Sequence, residues 1–278
     1  MKELTLRKIA EACHGTVAPE AETVTVTGVQ SDSRRVRPGD LFVAMAASLG
    51  AKAALVARPV EAPIPTILVA DTIRAYGDLA AAYREHAGIT GSVGKTTTKE
   101  MTACLLARSF HTARTEGNHN NNLGLPMTIL DMPDDTEVAV LEMGMNHFGE
   151  MAYLTSIARP DIAIITNIGT MHIEHLGSRE GILQAKLEIF RGVPKNGVGV
   201  FNGDEPLLWN IRSDGGHKKY YYGVENRACD VTATDIQELE DGMRFVVNGF
   251  GHRSGAGHPG AGGAKAPAGH LPGNAAAL

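Results

Sequence analysis

The sequence is short of the features that mark several protein classes. It has three cysteines, Cys13, Cys104 and Cys229, far apart and with no C-x-x-C pair. That argues against both a disulfide framework and a thiolate zinc site. No apolar run approaches the roughly 18 residues a membrane-spanning helix needs, so no membrane span is expected. The opening MKELTLRKIA carries an acid and lacks an apolar signal core, which makes a cytoplasmic location the expectation. Positive charge is not in excess either. Lys plus Arg is 26 and Asp plus Glu is 31, a net charge of -5, so a chain that coats nucleic acid is not indicated. What is present is enough apolar content, 43% of 278 residues, to build real cores. The length suits one large domain or two ordinary ones.

Glycine is unevenly spread. The last 28 residues, 251–278, hold 8 of the 32 glycines together with 8 Ala and 3 Pro. With almost nothing to bury and no period, they read as a disordered or residual tail. Ahead of it, residues 1–86 read as a small α/β domain. Leu4 to Ala12 has helical spacing, and TVTVTGVQ (23–30), LFVAM (41–45) and TILVA (66–70) read as strands. Residues 46–57 suit a short helix, and Asp71 suits the N-cap of a helix ending near His86. Residues 87–250 alternate more clearly. EVAVLEMG (137–144), DIAIITNIG (161–169) and GVGVFNGD (197–204) are strand-like, and GEMAYLTSIA (149–158) and the stretch from Ser178 to Phe190 are helical. Turns are expected at Glu240-Asp241-Gly242 and Asn248-Gly249. This alternation predicts a mostly parallel sheet with ligands at the carboxyl ends of its strands.

The chemistry begins at Thr90-Gly91-Ser92-Val93-Gly94-Lys95-Thr96-Thr97-Thr98. Glycines let backbone N–H groups converge on phosphate oxygens, and the helix that follows adds its positive end. Lys95 can reach terminal phosphates, and Thr96 can offer an oxygen to Mg²⁺. The full pattern GxxxxGK[ST] is not met, because Ile89 stands where its first glycine would be. A surface glycine turn with an exposed lysine is the competing reading. A second weakness is the strand before the loop, which looks clipped to about two residues after Tyr83-Arg84-Glu85-His86.

Four further groups carry donors. Glu142 ends an apolar run, where a carboxylate can bind Mg²⁺ or simply face solvent. His172 and His175 are spaced i, i+3, but no cysteine or third close histidine supports zinc. Asn118, Asn120, Asn121 and Asn122 form an amide cluster that can bind phosphate, sugar or carboxylate, or be a turn-rich loop. Lys186 lies among the apolar residues of a helix, either at the surface or turned towards the site.

Taken together, the blocks DSRRVRPGDLFVA (32–44), ITGSVGKTTTKEM (89–101), TEGNHNNNLGLPMTIL (115–130), residues 141–190 and NGDEP (202–206) resemble the bacterial Mur ligases, the ATP-dependent amide-bond ligases of peptidoglycan precursor synthesis. The branch resembled is the one that joins D-alanyl-D-alanine to UDP-N-acetylmuramoyl-tripeptide through an acyl phosphate. The resemblance implies that Gly91, Ser92, Val93, Gly94, Lys95, Thr96 and Thr97 hold ATP. It implies that Thr96, Glu142 and His172 serve Mg²⁺ positions, and that Lys186 matches a lysine many members carry as a carbamate, itself a metal ligand. By the same resemblance Asn120 and Asn121 lie near the substrate, Asn202 and Asp204 lie towards the nucleotide, and Ser31, Ser33 and Arg34 help hold the UDP moiety. A monomer is expected. Departures are equally clear. Set against the family's pattern, its third, Rossmann-like domain is expected to be missing from this chain, and the loop after LFVA to be abbreviated. Weak ATP binding with little ligation by this chain alone is therefore expected. The competing readings are another Mur-type ligase, adding a diamino acid or glutamate, and a non-catalytic module that binds ATP or a UDP-sugar.

Overall fold

Short apolar runs, each stopped by a polar residue or a glycine, become the strands of the computed structural model, which describes residues 3–43, 50–82, 86–240 and 242–259. The chain divides into two units, one of residues 1–199 with 214–218 and the other of residues 200–213 with 219–278. The first unit opens with β1 (Leu4–Thr5), α1 (Leu6–Ala12), β2 (Thr16–Val17), β3 (Thr25–Val26), β4 (Gly28–Gln30), β5 (Asp40–Val43), β6 (Ala53–Val56), β7 (Thr66–Leu68) and α2 (Thr72–Ala81). Five of these strands form a sheet in the order β2-β7-β6-β5-β4, parallel except for β2. Asp71 caps α2, its Oδ1 accepting from the N–H groups of Ile73 and Arg74, as the sequence led one to expect.

Three expectations for this region change. The stretch 23–30 is two strands in different sheets, because the N–H of Thr27 turns away to the carbonyl of Gly39. Within the expected helix 46–57, Ala53–Val56 is a strand; residues 46–49 lie outside the described residues. All four side chains of β6 are buried, and a run buried on every side carries no periodicity that separates helix from strand. The helix from Asp71 ends at Ala81 rather than near His86.

The unit continues with β8 (His86–Thr90), α3 (Lys95–Leu106), β9 (Thr112–Arg114), α4 (Gly124–Asp131), β10 (Val138–Glu142), α5 (Glu150–Ala158), β11 (Pro160–Ile165), α6 (Ile173–Leu176) and α7 (Arg179–Leu187). Its strands run β11-β8-β10-β9, all parallel. The strand expected to be clipped, β8, has five residues and sits between β10 and β11. Parallel pairing uses backbone groups, which Ala87 and Gly88 supply as well as larger residues do. Leu125, Ile129, Leu141, Met151 and Ile165 are fully buried around this sheet.

Helix α2 packs against α4 and α5 and so joins the five-stranded sheet to the sheet of β8–β11. Gly77 permits the approach, since a Cβ there would lie 2.4 Å from the Tyr153 hydroxyl and 2.8 Å from Ile157 Cδ1. Arg35 adds an ion pair from the short 3₁₀ turn Ser33–Arg35 to Asp131 at the end of α4, at 3.2 Å.

The second unit contains most of β12 (Val198–Asn202), then α8 (Pro206–Asn210), β13 (Lys218–Gly223), β14 (Val231–Leu239), β15 (Gly242–Gly249) and β16 (His252–Pro259). Its strand order is β16-β15-β14-β13-β12, with antiparallel pairing from β14 to β16. Phe201 and Trp209 both pack on Tyr221, with ring centroids 5.3 Å apart. The expected coreless tail from 251 begins too early, because residues 252–259 pair with β15 along its length. The turn before them falls at Phe250 and Gly251, both at positive φ (50° and 78°), two residues beyond the expected Asn248-Gly249. Two consecutive positive φ values match the twist of a tight hairpin, and a hairpin pairs through backbone without large side chains. Residues 260–278, the remainder of the expected tail, lie outside the described residues.

Replacing Gly77 by Ala is expected to destabilise the chain by about 1–3 kcal/mol through overpacking. Adding Tyr153→Phe, which removes the nearest atom, is expected to recover part of the loss; urea unfolding of both variants measures it.

Candidate functional site

The carboxyl ends of β8, β10 and β11 meet at the loop Gly91–Gly94, and each contributes a polar group there. The loop leaves β8 at Thr90, and α3 begins at Lys95 after Gly94, which holds φ 77°. Glycine takes that left-handed conformation without strain. Gly91 is needed for a different reason, since a Cβ would lie 1.8 Å from Thr166 Oγ1.

Groups at the end of β11 shape the loop. Asn167 Oδ1 accepts from the N–H groups of Ser92 and Val93 at 3.0 and 2.9 Å. Thr166 Oγ1 donates to the Val93 carbonyl at 2.6 Å, and Ser92 Oγ accepts from Gly169 N–H at 2.9 Å. Lys95 Nζ curls back to the carbonyls of Gly91 and Ser92, at 3.0 and 3.4 Å. Burial lowers its pKa, opposed by the charge of Glu142. An ammonium over a collar of backbone groups at a helix start is an arrangement that binds phosphate.

Glu142, the last residue of β10, is 2% exposed, so the solvent-facing alternative is excluded. Its Oε2 accepts from Thr96 Oγ1 at 2.9 Å and its Oε1 from Asn120 Nδ2 at 2.8 Å. Thr115 Oγ1 accepts from its backbone N–H at 2.9 Å. A hydroxyl and a carboxylate oxygen this close are hard donors of the kind Mg²⁺ selects, with waters or phosphates completing the shell. The residues present therefore fit that ion.

Beside the loop lies a cavity of about 600 Å³. It gathers Gly91, Ser92, Lys95, Asn120, Asn121, Asn122, His172 and Lys186 from the sequence-expected residues, together with Asn146, Phe148 and Tyr153. Asn121 has a local duty as well, its Oδ1 accepting from Leu123 and Gly124 at the start of α4. His172 opens α6 at φ 66°. His175 instead packs its ring, tilted, against His147, with centroids 4.4 Å apart. Among the described residues no group of three His, Cys, Asp or Glu is arranged to hold a metal.

Lys186 is buried, which excludes the surface-lysine reading. Desolvation, with help from the charge of Lys95, pushes its pKa down to about 7. Its amine is therefore substantially neutral near neutral pH.

Other expected residues are not among those that line this cavity. Ser31, Ser33 and Arg34 do not line it. The Arg34 guanidinium is held by the Asp32 carboxylate at 2.7–3.0 Å, and that arginine draws the Asp32 pKa down to about 2. Asn202 and Asp204 belong to the second unit. There Asn202 Oδ1 accepts from the Asp204 N–H, and the Asp204 carboxylate accepts from the N–H groups of Val224, Glu225 and Asn226.

The sequence reading missed Asn167, Thr166, Thr115 and Lys99. Asn167 carried a signal, being the first amide after an apolar strand run. Lys99 carried one too, four residues after Lys95 and so on the same face of α3. Glu188, also missed, accepts from the N–H groups of Gly149 and Ala152 and so caps α5 from a distant segment.

A glycine loop, a lysine and an acid at the end of the neighbouring strand β10 thus stand together at one edge of a parallel α/β sheet. The model of the Mur ligase middle domain matches residues 89–258, and the chain belongs to that family. It is 41% identical over 272 residues to UDP-N-acetylmuramoyl-tripeptide--D-alanyl-D-alanine ligase of Bacillus subtilis, covering 90% of this chain and 59% of the relative. The Escherichia coli enzyme of the same name is 37% identical, with 89% and 58% covered. The crystal structure of MurF from Acinetobacter baumannii superposes with a TM-score of 0.85 at 32% identity, covering 93% of this chain and 61% of that one. MurF of Thermotoga maritima in complex with ADP gives 0.74 at 28% identity, with 84% and 58% covered. The chain thus spans about three fifths of the length of the relatives it matches. Among the described residues no helix is long and apolar enough to cross a membrane.

The lowered pKa of Lys186 has a consequence for stability. Between pH 7 and about 10.5 the unfolded chain holds a proton on this lysine that the folded chain does not. Stability should therefore rise with pH across that window relative to Lys186→Met. Urea unfolding of both proteins from pH 7 to 10 checks the sign, and parallel curves would contradict it.

Proposed function

We propose that this chain binds ATP with Mg²⁺ and takes part in ATP-dependent amide-bond formation on a UDP-N-acetylmuramoyl-peptide, with D-alanyl-D-alanine as the incoming amine. The observation that carries the reading is the convergence of Lys95, Thr96 and Glu142 at one loop-to-helix junction. The Bacillus subtilis and Escherichia coli relatives supply the substrate class, and the ADP-bound Thermotoga maritima relative supports the nucleotide. The site is read as lying in the cytoplasm, where these precursors are made, and the chain as a monomer.

In this reading the loop amides and Lys95 hold the β- and γ-phosphates. Thr96 and Glu142 would hold one Mg²⁺, and His172 and Lys186 would serve a second position. The ion, when bound, offsets charge on the transferring phosphoryl group. An oxygen of the substrate's terminal carboxylate attacks the γ-phosphorus, and the bond to ADP breaks, leaving an acyl phosphate. The amine then attacks the acyl carbon, loses a proton, and phosphate departs from the tetrahedral intermediate. Electrostatic positioning supplies most of what such a transfer needs, so no side-chain nucleophile is required. Asn120 and Asn121 line the wall where the acceptor carboxylate would lie, and Ser31, Ser33 and Arg34 are assigned to the UDP end. Near pH 7 the neutral Lys186 amine can add to CO₂ and release a proton, giving a carbamate oxygen ligand.

Hydroxylamine trapping tests the first chemical step without requiring the second. With ATP, Mg²⁺ and UDP-N-acetylmuramoyl-tripeptide, the chain is expected to yield a hydroxamate. Lys95→Ala is expected to cut the yield at least about 100-fold, as for other single groups that stabilise a transition state. A hydroxamate yield no higher than that of Lys95→Ala would sink the proposal.

A further inference from the structure

A second lysine lies behind the site. Lys99 is 0% exposed, although lysine is almost never fully buried unless paired. Its Nζ lies 3.7 Å from Glu142 Oε2 and 3.2 Å from Glu100 Oε1, and donates to the Gly117 carbonyl at 3.2 Å. Glu100 is itself half-exposed and engaged by Arg114 at 2.7 Å. The buried partner of Lys99 is therefore Glu142.

The oxygen concerned matters. Glu142 Oε2 is also the atom that accepts from Thr96, so cation and hydroxyl converge on one carboxylate oxygen. Gly117 ties the same ammonium to the loop that carries Asn120, the partner of Oε1. Among the described residues, the polar contacts that orient this carboxylate thus come from α3 and the 115–122 loop; Lys99 belongs to the first and donates to the second.

We propose that Lys99 is a positioning residue that acts as an internal counter-cation to Glu142. It reduces the pull of Glu142 on a divalent ion, so that the ion binds strongly only together with nucleotide phosphates. The inference rests on the reading of Thr96 and Glu142 as the Mg²⁺-holding pair. A fixed positive charge within 4 Å repels an incoming dication, and in a buried setting that repulsion is weakly screened. Phosphate oxygens arriving with the ion restore the balance of charge.

Mn²⁺ binding to the full chain, read by the loss of the free-ion EPR signal, tests this with and without ATP. Without ATP, Lys99→Met is expected to bind Mn²⁺ about tenfold more tightly than the unaltered chain, because a like charge has left the site. Lys99→Arg should restore the weaker binding, and Lys99→Met combined with Glu142→Gln should abolish the gain. If Lys99→Met does not fold, Lys99→Gln, which keeps a donor towards Gly117, carries the same expectation. Binding that is unchanged or weaker in a folded variant overturns the proposal. Glu142→Gln alone separates the two layers. If it binds Mn²⁺ with ATP as the unaltered chain does, Glu142 is not a ligand and both readings fall. If it loses the ion while Lys99→Met changes nothing, the Lys99 inference alone falls.

Discussion

The Glu142 carboxylate is the interaction around which the rest of the site is arranged. A charge buried to this degree persists only with partners. Here it has Thr96, Asn120 and Lys99, drawn from the first turn of α3, the amide-rich loop and the second turn of α3. Each partner brings its own segment with it. Thr96 fixes where α3 starts and so where the glycine loop must close. Asn120 fixes the loop that walls the cavity. The carboxylate therefore couples the glycine loop and the start of α3 to the amide-rich loop.

The sheet makes that coupling possible. With β11, β8, β10 and β9 all parallel, their carboxyl ends come out along one edge. Thr90 to Gly94, Glu142, and Thr166 with Asn167 are then neighbours although they are far apart in sequence. Asn167 and Thr166 hold the glycine loop open through its own backbone groups, so its shape is set before any anion arrives. Such preorganisation is what an electrostatic site needs. On the other side, α2 against α4 and α5, with Gly77 at the contact, keeps the first sheet next to this one.

Much of this was legible in the residues. The glycine loop, Lys95, Thr96 and the acid ending β10 were visible because each sits at a junction where an apolar run stops. The helix cap at Asp71 was visible because a side-chain acceptor there has one main use, and it makes the expected bonds. What was hidden had physical reasons. β6 is buried on every side and so shows no period. β8 contains Ala87 and Gly88, whose strand character comes from its neighbours rather than from propensity. β16 pairs through backbone that its Gly- and Ala-rich composition did not advertise. Lys99 had only its spacing from Lys95 to mark it, because a lysine in a helix is usually solvated; its burial is a tertiary fact. The separation of Asn202 and Asp204 into another unit, with Asp204 holding the 224–226 backbone, is likewise a tertiary fact.

The central claim is that Lys95, Thr96 and Glu142 form a single phosphate-and-metal site. A crystal structure of the chain with Mg²⁺ and a non-hydrolysable ATP analogue tests it most directly. The account predicts the terminal phosphate on Lys95 Nζ, with the ion about 2.0–2.1 Å from Thr96 Oγ1 and Glu142 reaching it directly or through one water. An analogue bound elsewhere, or an ion that touches neither Thr96 nor Glu142, would contradict it.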